Sequence, residues 1–455
     1  MEMVLEFLRD VLSQPALLIG IMSCIGLIAL KRPFHKVMTG TLKPILGYLM
    51  LAAGAGVIVN NLDPLGKMIE HGFHITGVVP NNEAIVAVAQ KVLGVETMSI
   101  LVVGLLMNLC IARFTKFKYV FLTGHHSLFM ACLMSAVLGT AGLSGIELIL
   151  VGGFLMGAWS AISPAIGQSY TSKVTDGDEI ALGHFGSLGY YLSAWVAKYV
   201  GKAEDSTEDI EIPEKWGFLR DSTLSTALTM VVFYLIAALA AGSEFVATLS
   251  GSMSPYLFAV MSAMNFAVGV AIVYSGVRMI LGDLIPAFQG IATKIIPNAI
   301  PAVDCAVFFT YAPTAVVLGF ISSFIGGIIG MLILGAVGGV LIIPGLVPHF
   351  FCGATAGIYG NATGGRRGAA VGAFLNGLAI TFLPALALPV LGQLGFQNTT
   401  FGDADFAVMG LVLGHAFEWI GMAGIYGIVA IAALVLIIPN FIKTKGKVIN
   451  YVEEE

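Results

Sequence analysis

The sequence predicts an all-α membrane protein of about 11 transmembrane helices plus re-entrant helical hairpins. Three observations carry that prediction. Hydrophobic residues make up 57% of the 455 positions and charged residues 11%, against roughly 25% charged in soluble domains, and mean hydropathy is +0.92. Apolar runs recur at 15–30, 42–59, 98–112, 224–241 and 423–438, close to the roughly 20 residues that a crossing helix needs. Many of the 56 glycines and 17 prolines fall inside apolar stretches, which predicts closely packed and interrupted spans.

The basic residues orient those spans. Lys31, Arg32, Lys36 and Lys43 follow the first run, Arg113, Lys116 and Lys118 the third, and Lys443, Lys445 and Lys447 the last. Positive clusters stay in the cytoplasm, so the N-terminus is expected outside and the C-terminus inside, with an odd number of crossings. No small-residue cleavage site follows a basic start, so the first run reads as a retained span. The whole of 1–455 is expected to form one membrane domain, with the hydrophilic stretch 198–220 as a cytoplasmic loop within it.

Cys24, Cys110, Cys132, Cys305 and Cys352 stand singly in apolar runs, without a CxxC pair. They read as small buried hydrophobes. The pattern IIPxxxP occurs at Ile295 to Pro301 and again at Ile342 to Pro348. Paired Pro-interrupted segments suggest hairpins whose tips line a central site.

Asp304 lies in the apolar text Ala302-Val-Asp304-Cys-Ala-Val-Phe-Phe309. A carboxylate at membrane depth costs roughly 2.5–3.5 kcal/mol on insertion scales, so it faces a cavity, a partner or a ligand. It also suits the N-terminal end of a helix following Pro301, where it would accept from free N–H groups. His125, His184 and His415 each follow a glycine in similar wording, Thr-Gly-His, Leu-Gly-His and Leu-Gly-His. Glycine permits close approach and imidazole offers both a donor and an acceptor, chemistry suited to a polyhydroxylated or weakly acidic solute. Arg278 and Asp283 read as a membrane boundary. The pair Arg366-Arg367 reads as a topology anchor, with phosphate contact as its functional alternative.

In order along the chain, Leu122-Thr-Gly-His125, Lys173-Val-Thr-Asp-Gly177, Gly183-His184, Gly276-Val-Arg278-Met, Ala287-Phe-Gln-Gly290, Ala302-Val-Asp304-Cys-Ala306, Tyr311-Ala-Pro313-Thr-Ala-Val-Val317 and Ile342-Ile-Pro-Gly345 resemble the membrane-embedded enzyme IIC component of the ascorbate-type phosphotransferase system. The resemblance implies a core domain and a V-shaped dimerisation motif, working as a homodimer in the bacterial inner membrane. It implies uptake of L-ascorbate or a related sugar acid by rigid-body movement of the core. It also implies phosphorylation of that substrate by a phosphorylated enzyme IIB, itself charged by enzyme IIA, so the phosphoryl donor residue lies on the partner and this chain is the membrane subunit of the complex. Carried over position by position, it places substrate hydrogen bonds on His125 and His184, and on Asp304 either proton acceptance from the hydroxyl to be phosphorylated or the holding of that hydroxyl in line. Asn82 and Glu83 are the candidates for the turn before the third span. No cofactor, metal or nucleic acid is implied.

The chain departs from the ascorbate pattern after both histidines, where Phe129 and Phe185 replace amide-bearing residues. Their rings are expected to stack against a flat lactone ring. Outside the family, a proton-coupled secondary transporter without phosphorylation would use Asp304, Glu83 and the histidines as its relay. A channel would need repeated filter segments and a metal enzyme clustered ligands such as HExxH; neither pattern is present in the sequence.

Overall fold

The structure is a computed structural model and describes residues 11, 14–74, 77–80, 82–177, 179–210, 222–391 and 399–441. Helices dominate: α1 (Pro15–Ala29), α2 (Phe34–Phe73), α3 (Asn82–Phe114), α4 (Gly124–Thr140), α5 (Gly145–Thr175), α6 (Ser187–Val200), α7 (Ser222–Ala241), α8 (Ser243–Ser250), α9 (Pro255–Lys294), α10 (Pro313–Ala336), α11 (Leu346–Leu391), α12 (Ala404–Ile420) and α13 (Met422–Phe441). Among the described residues seven helices are long and apolar enough to cross a membrane, or eight if the bent pair Met230–Ala241 and Ser243–Ser250 is one span. The protein is therefore an all-α, multi-pass membrane protein, as its composition predicts.

Glycine breaks the longest helix. In the 46-residue α11, Gly364 (φ −142°, ψ 18°) and Gly365 (φ 58°, ψ −156°) leave helical geometry, the latter in a region essentially reserved for glycine. The chain turns back there. Gly353 packs on Ser323 and Gly357 on Ala315 of α10 in one arm, while Gly377 packs on Ser323 and Thr381 on Gly330 in the other. Residue numbers thus fall along α10 in the first arm and rise in the second, so the arms run antiparallel.

The stretch 198–220 is only partly a loose connector. Residues 211–220 lie outside the described residues, but 201–210 fold onto this hairpin tip: Arg366 N–H donates to the Asp205 carbonyl at 2.8 Å and Thr207 N–H to Asn361 Oδ1 at 2.8 Å. Glu208 accepts from the N–H groups of Thr314 and Ala315 at the start of α10, both at 3.1 Å, satisfying donors that a helix N-terminus leaves free.

Among the described residues there are five short parallel strands: β1 (Val79–Pro80), β2 (Tyr119–Phe121), β3 (Ala181–Leu182), β4 (Ile300–Val303) and β5 (Thr399–Thr400). β4 lies between β2 and β3, pairing Phe121 with Ala302 and Leu182 with Val303. β1 pairs with β5, and Val78 bridges to Ile342. Each strand leads directly into a helix or 3₁₀ start. Parallel strands need both faces covered, and β2, β3 and β4 are fully buried. Both IIPxxxP segments lie at such crossings but out of register: the strand follows Pro297 in one and precedes Pro344 in the other.

The helices pack in two groups. α1, α2, α7, α8 and α9 form one, through close approaches such as Gly26 to the Ala287 carbonyl and Gly269 to Ile58. The remaining helices surround the strands. At one end, Lys116 N–H donates to Asn440 Oδ1 at 2.9 Å, bringing the basic segment after α3 beside the end of α13. The described cysteines are all free, with Cys132, Cys305 and Cys352 buried, Cys24 half-buried and Cys110 exposed.

Candidate functional site

The strand-to-helix crossings explain why three motifs far apart in sequence meet. β2 delivers Thr123-Gly-His125-His126 to the start of α4, β3 delivers Gly183-His184-Phe185 to the turn before α6, and β4 delivers Asp304 to the N-cap of the 3₁₀ turn Cys305–Thr310. Because β4 is central, its carboxylate emerges between the two histidine segments. His125 Nε2 lies 3.4 Å from Asp304 Oδ2. His184, Asp304 and Cys305 place potential ligand atoms within 4.8 Å of one another.

Asp304 combines the two roles its sequence context suggests. Oδ1 accepts from the Ala306 N–H at 3.0 Å, completing the cap, while Oδ2 is left to face His125. The residue is 8% exposed and lines a cleft with Ile19, Tyr48, Leu122, Thr123, Val303 and Val307. Ile19 and Tyr48 come from the first helix group, so the cleft opens at the seam between the groups. The Thr123 hydroxyl, also buried, has no hydrogen-bond partner among the described residues. Tyr48 reaches across the seam to His125 Nδ1 at 3.0 Å.

The β1 and β5 crossings bring a second pair of residues. Asn82, at the start of α3, donates from Nδ2 to Asp403 Oδ2 at 2.6 Å and accepts from the Gly402 N–H at 2.9 Å. Asp403 also accepts from Cys352 Sγ at 2.9 Å and stands 3.8 Å from His184 Nδ1. Asn82 is thereby joined to the histidine site through Asp403. Glu83 occupies the next position of α3, and its side chain lies outside the described part of the structure.

Main-chain amides set the imidazole tautomers. Phe185 N–H donates to His126 Nδ1 at 3.2 Å and Gly186 N–H to His184 Nδ1 at 3.1 Å, so each neutral ring carries its proton at Nε2. Tyr190 O–H also reaches His184 Nδ1, at 2.9 Å. The group His126, His184 and Asp403 is compact enough for a cation. With both Nδ1 lone pairs taken, however, the rings offer Nε2–H donors rather than lone pairs, and a cation would have to displace an amide. The arrangement suits an oxygen-rich ligand: imidazole donors on one side, carboxylate acceptors on the other.

The two phenylalanines sit differently. Phe129 is 8% exposed and meets His125 edge-on at 5.8 Å. Phe185 is fully buried and stacked on Phe121 at 4.6 Å, so its ring backs the imidazoles and its main chain does the polar work. Its carbonyl accepts from Asp405 N–H at 3.0 Å. His415 is remote from this cluster; it lies along α12, stacks on Trp419 and pairs with Glu418 at 3.0 Å. Asp283 pairs with Lys43 at 3.5 Å, and Arg366-Arg367 mark the α11 hairpin tip.

Sequence reasoning passed over Asp403 and Asp405. Asp405 is fully buried and accepts from Ser187 Oγ at 2.7 Å, Leu188 N–H at 2.9 Å and Trp159 Nε1 at 3.1 Å. It clamps the start of α6 and, through Phe185, the His184 turn. The rule that singled out Asp304 applies equally to Gly402-Asp-Ala-Asp405: carboxylates between apolar runs need a reason to be there.

Comparison with known proteins agrees with this architecture. The family model described as PTS system sugar-specific permease component (EIIC-GAT) matches residues 10–405. The ascorbate-specific PTS system EIIC component of Mycoplasma pneumoniae (strain ATCC 29342 / M129 / Subtype 1) is 27% identical over 417 residues, covering 78% of this chain and 62% of that protein. The chain thus spans about 62% of the length of the curated relative it matches. A family match over most of the chain, joined to a multi-pass helical fold, establishes that this protein belongs to the sugar-specific permease components of the phosphotransferase system.

Proposed function

We propose that the chain binds L-ascorbate or a related sugar acid in the cleft between the two helix groups and passes it inward, coupled to phosphorylation by a phosphorylated enzyme IIB. The observation that carries this reading is the facing of Asp304 Oδ2 and His125 Nε2 at 3.4 Å, beside the cleft that Asp304 lines at the seam. His125 and His184 donate to substrate oxygens, Asn82 and Glu83 complete the binding end, and Phe129 shapes the apolar side. Phe185 contributes through the turn it holds.

Phosphoryl transfer relies on positioning and electrostatics. In the proposed step the substrate hydroxyl oxygen bonds to phosphorus as the bond from phosphorus to the donor residue of enzyme IIB breaks. The hydroxyl proton passes to Asp304, the group placed to accept it. The seam between the helix groups supplies the plane along which the core moves. The chain works as a homodimer in the bacterial inner membrane, N-terminus outside and C-terminus cytoplasmic; the meeting of Lys116 with Asn440 supports placing the corresponding basic clusters on one side.

Sealed vesicles containing the purified protein provide the test. Accumulation of phosphorylated sugar acid is expected only when phosphorylated enzyme IIB is inside. Accumulation of unmodified substrate driven by a pH gradient alone would favour the proton-coupled transporter, for which the same carboxylate–imidazole pairs would serve as relay, and would overturn this reading.

A further inference from the structure

We propose that Tyr48 is a positioning residue that fixes the proton of His125, holding its imidazole as an Nε2–H donor at the side of the cleft where Asp304 stands. The proposal rests on the reading above only in taking His125 as a substrate contact. Tyr48 lies on α2, is 6% exposed, and places its hydroxyl 3.0 Å from His125 Nδ1. Two arrangements of the protons are open to a neutral ring. Were Nδ1 the donor, the bare Nε2 lone pair would lie 3.4 Å from Asp304 Oδ2, placing two electron-rich atoms together beside a buried carboxylate, where they repel. With Tyr48 O–H donating to Nδ1, Nε2 carries the proton and faces the carboxylate favourably.

The three imidazoles of the site then follow one rule. Phe185 and Gly186 supply main-chain donors to Nδ1 of His126 and His184, whereas His125 takes its donor from a side chain of the other helix group. Its tautomer is therefore the one that a side-chain substitution changes without moving the main chain. Through His125, Tyr48 gives the binding face a fixed donor, a device by which histidine ligands are commonly oriented.

The test is ¹⁵N solid-state NMR of histidine-labelled full-length protein in liposomes, with the His125 signals assigned by loss in His125→Gln. In the wild type, Nδ1 is expected unprotonated and Nε2 protonated. In Tyr48→Phe, which keeps the ring and removes the hydroxyl, the His125 signals should become a mixture of both tautomers. Apparent affinity for the sugar acid should fall up to about tenfold, the worth of one neutral hydrogen bond, with the maximal rate little changed. A protonated Nδ1 in the wild type, alone or with Nε2, overturns the proposal, as does an unchanged His125 spectrum in Tyr48→Phe. The wild-type spectrum decides even if the variant fails to fold. Failure of the wild type to bind any sugar acid would remove the substrate reading and leave the tautomer result standing.

Discussion

Asp304→Asn is expected to reduce phosphotransfer by about 10²- to 10⁴-fold, the range contributed by a positioned general base, while leaving substrate binding measurable. The substitution is well matched to the geometry. Asparagine retains an oxygen for the Ala306 N–H that Asp304 Oδ1 now accepts at 3.0 Å, so the cap and the 3₁₀ turn survive. What changes is the second oxygen, which faces His125 and becomes an amide unable to take a proton. Some affinity should be lost because the new N–H₂ meets the His125 donor. Initial rates with saturating phosphorylated enzyme IIB, measured beside equilibrium binding of labelled sugar acid, separate the two effects. Phosphotransfer within about threefold of wild type, well below the general-base range, would remove Asp304 from the chemistry and leave it as a cap.

Asp405→Ala should be the most damaging substitution for stability, at about 3–5 kcal/mol, because it leaves three buried donors without an acceptor, each worth about 1–3 kcal/mol. It strands Ser187 Oγ, Leu188 N–H and Trp159 Nε1, all of which now donate to its carboxylate. The damage should reach the site, because Leu188 and Ser187 begin the helix that follows His184. Asp405→Asn is expected to destabilise as well, since either orientation of the amide sets its N–H₂ against a donor, Leu188 N–H in one and Ser187 Oγ with Trp159 Nε1 in the other. Thermal unfolding in detergent with a tryptophan fluorescence readout measures the loss. A variant that unfolds at the wild-type temperature would show that the His184 turn does not depend on this clamp.

Much of the site could be read from residues whose types are costly where they stand. Asp304 is conspicuous in an apolar stretch, and the glycine-histidine wording of His125 and His184 marks close approach with donors available. The short strands behind them left no such trace. β3 is two residues and β4 is four, too short for a period-two pattern, and all are buried on both faces, which removes alternation altogether. Without the strands, only the family resemblance, and no local pattern, gives a reason why residues 125, 184 and 304 should meet. Tyr48 was illegible for a different reason: a tyrosine in an apolar helix is ordinary packing until its hydroxyl is seen to reach a histidine 77 positions away. His415 shares the local wording but lies along a helix rather than at a strand end, so the glycine-histidine pair joins the cluster only where a strand delivers it.

Binding of labelled ascorbate to purified His125→Ala decides whether the cleft beside the His125–Asp304 pair holds the sugar acid. Truncation removes one donor to the ligand without touching the Ala306 cap or the His184 turn. Binding is expected to weaken by about tenfold or more, the cost of a lost hydrogen bond with its partner left unpaired, in protein whose thermal stability stays close to wild type. Wild-type affinity in His125→Ala would contradict it and place the substrate elsewhere in the molecule.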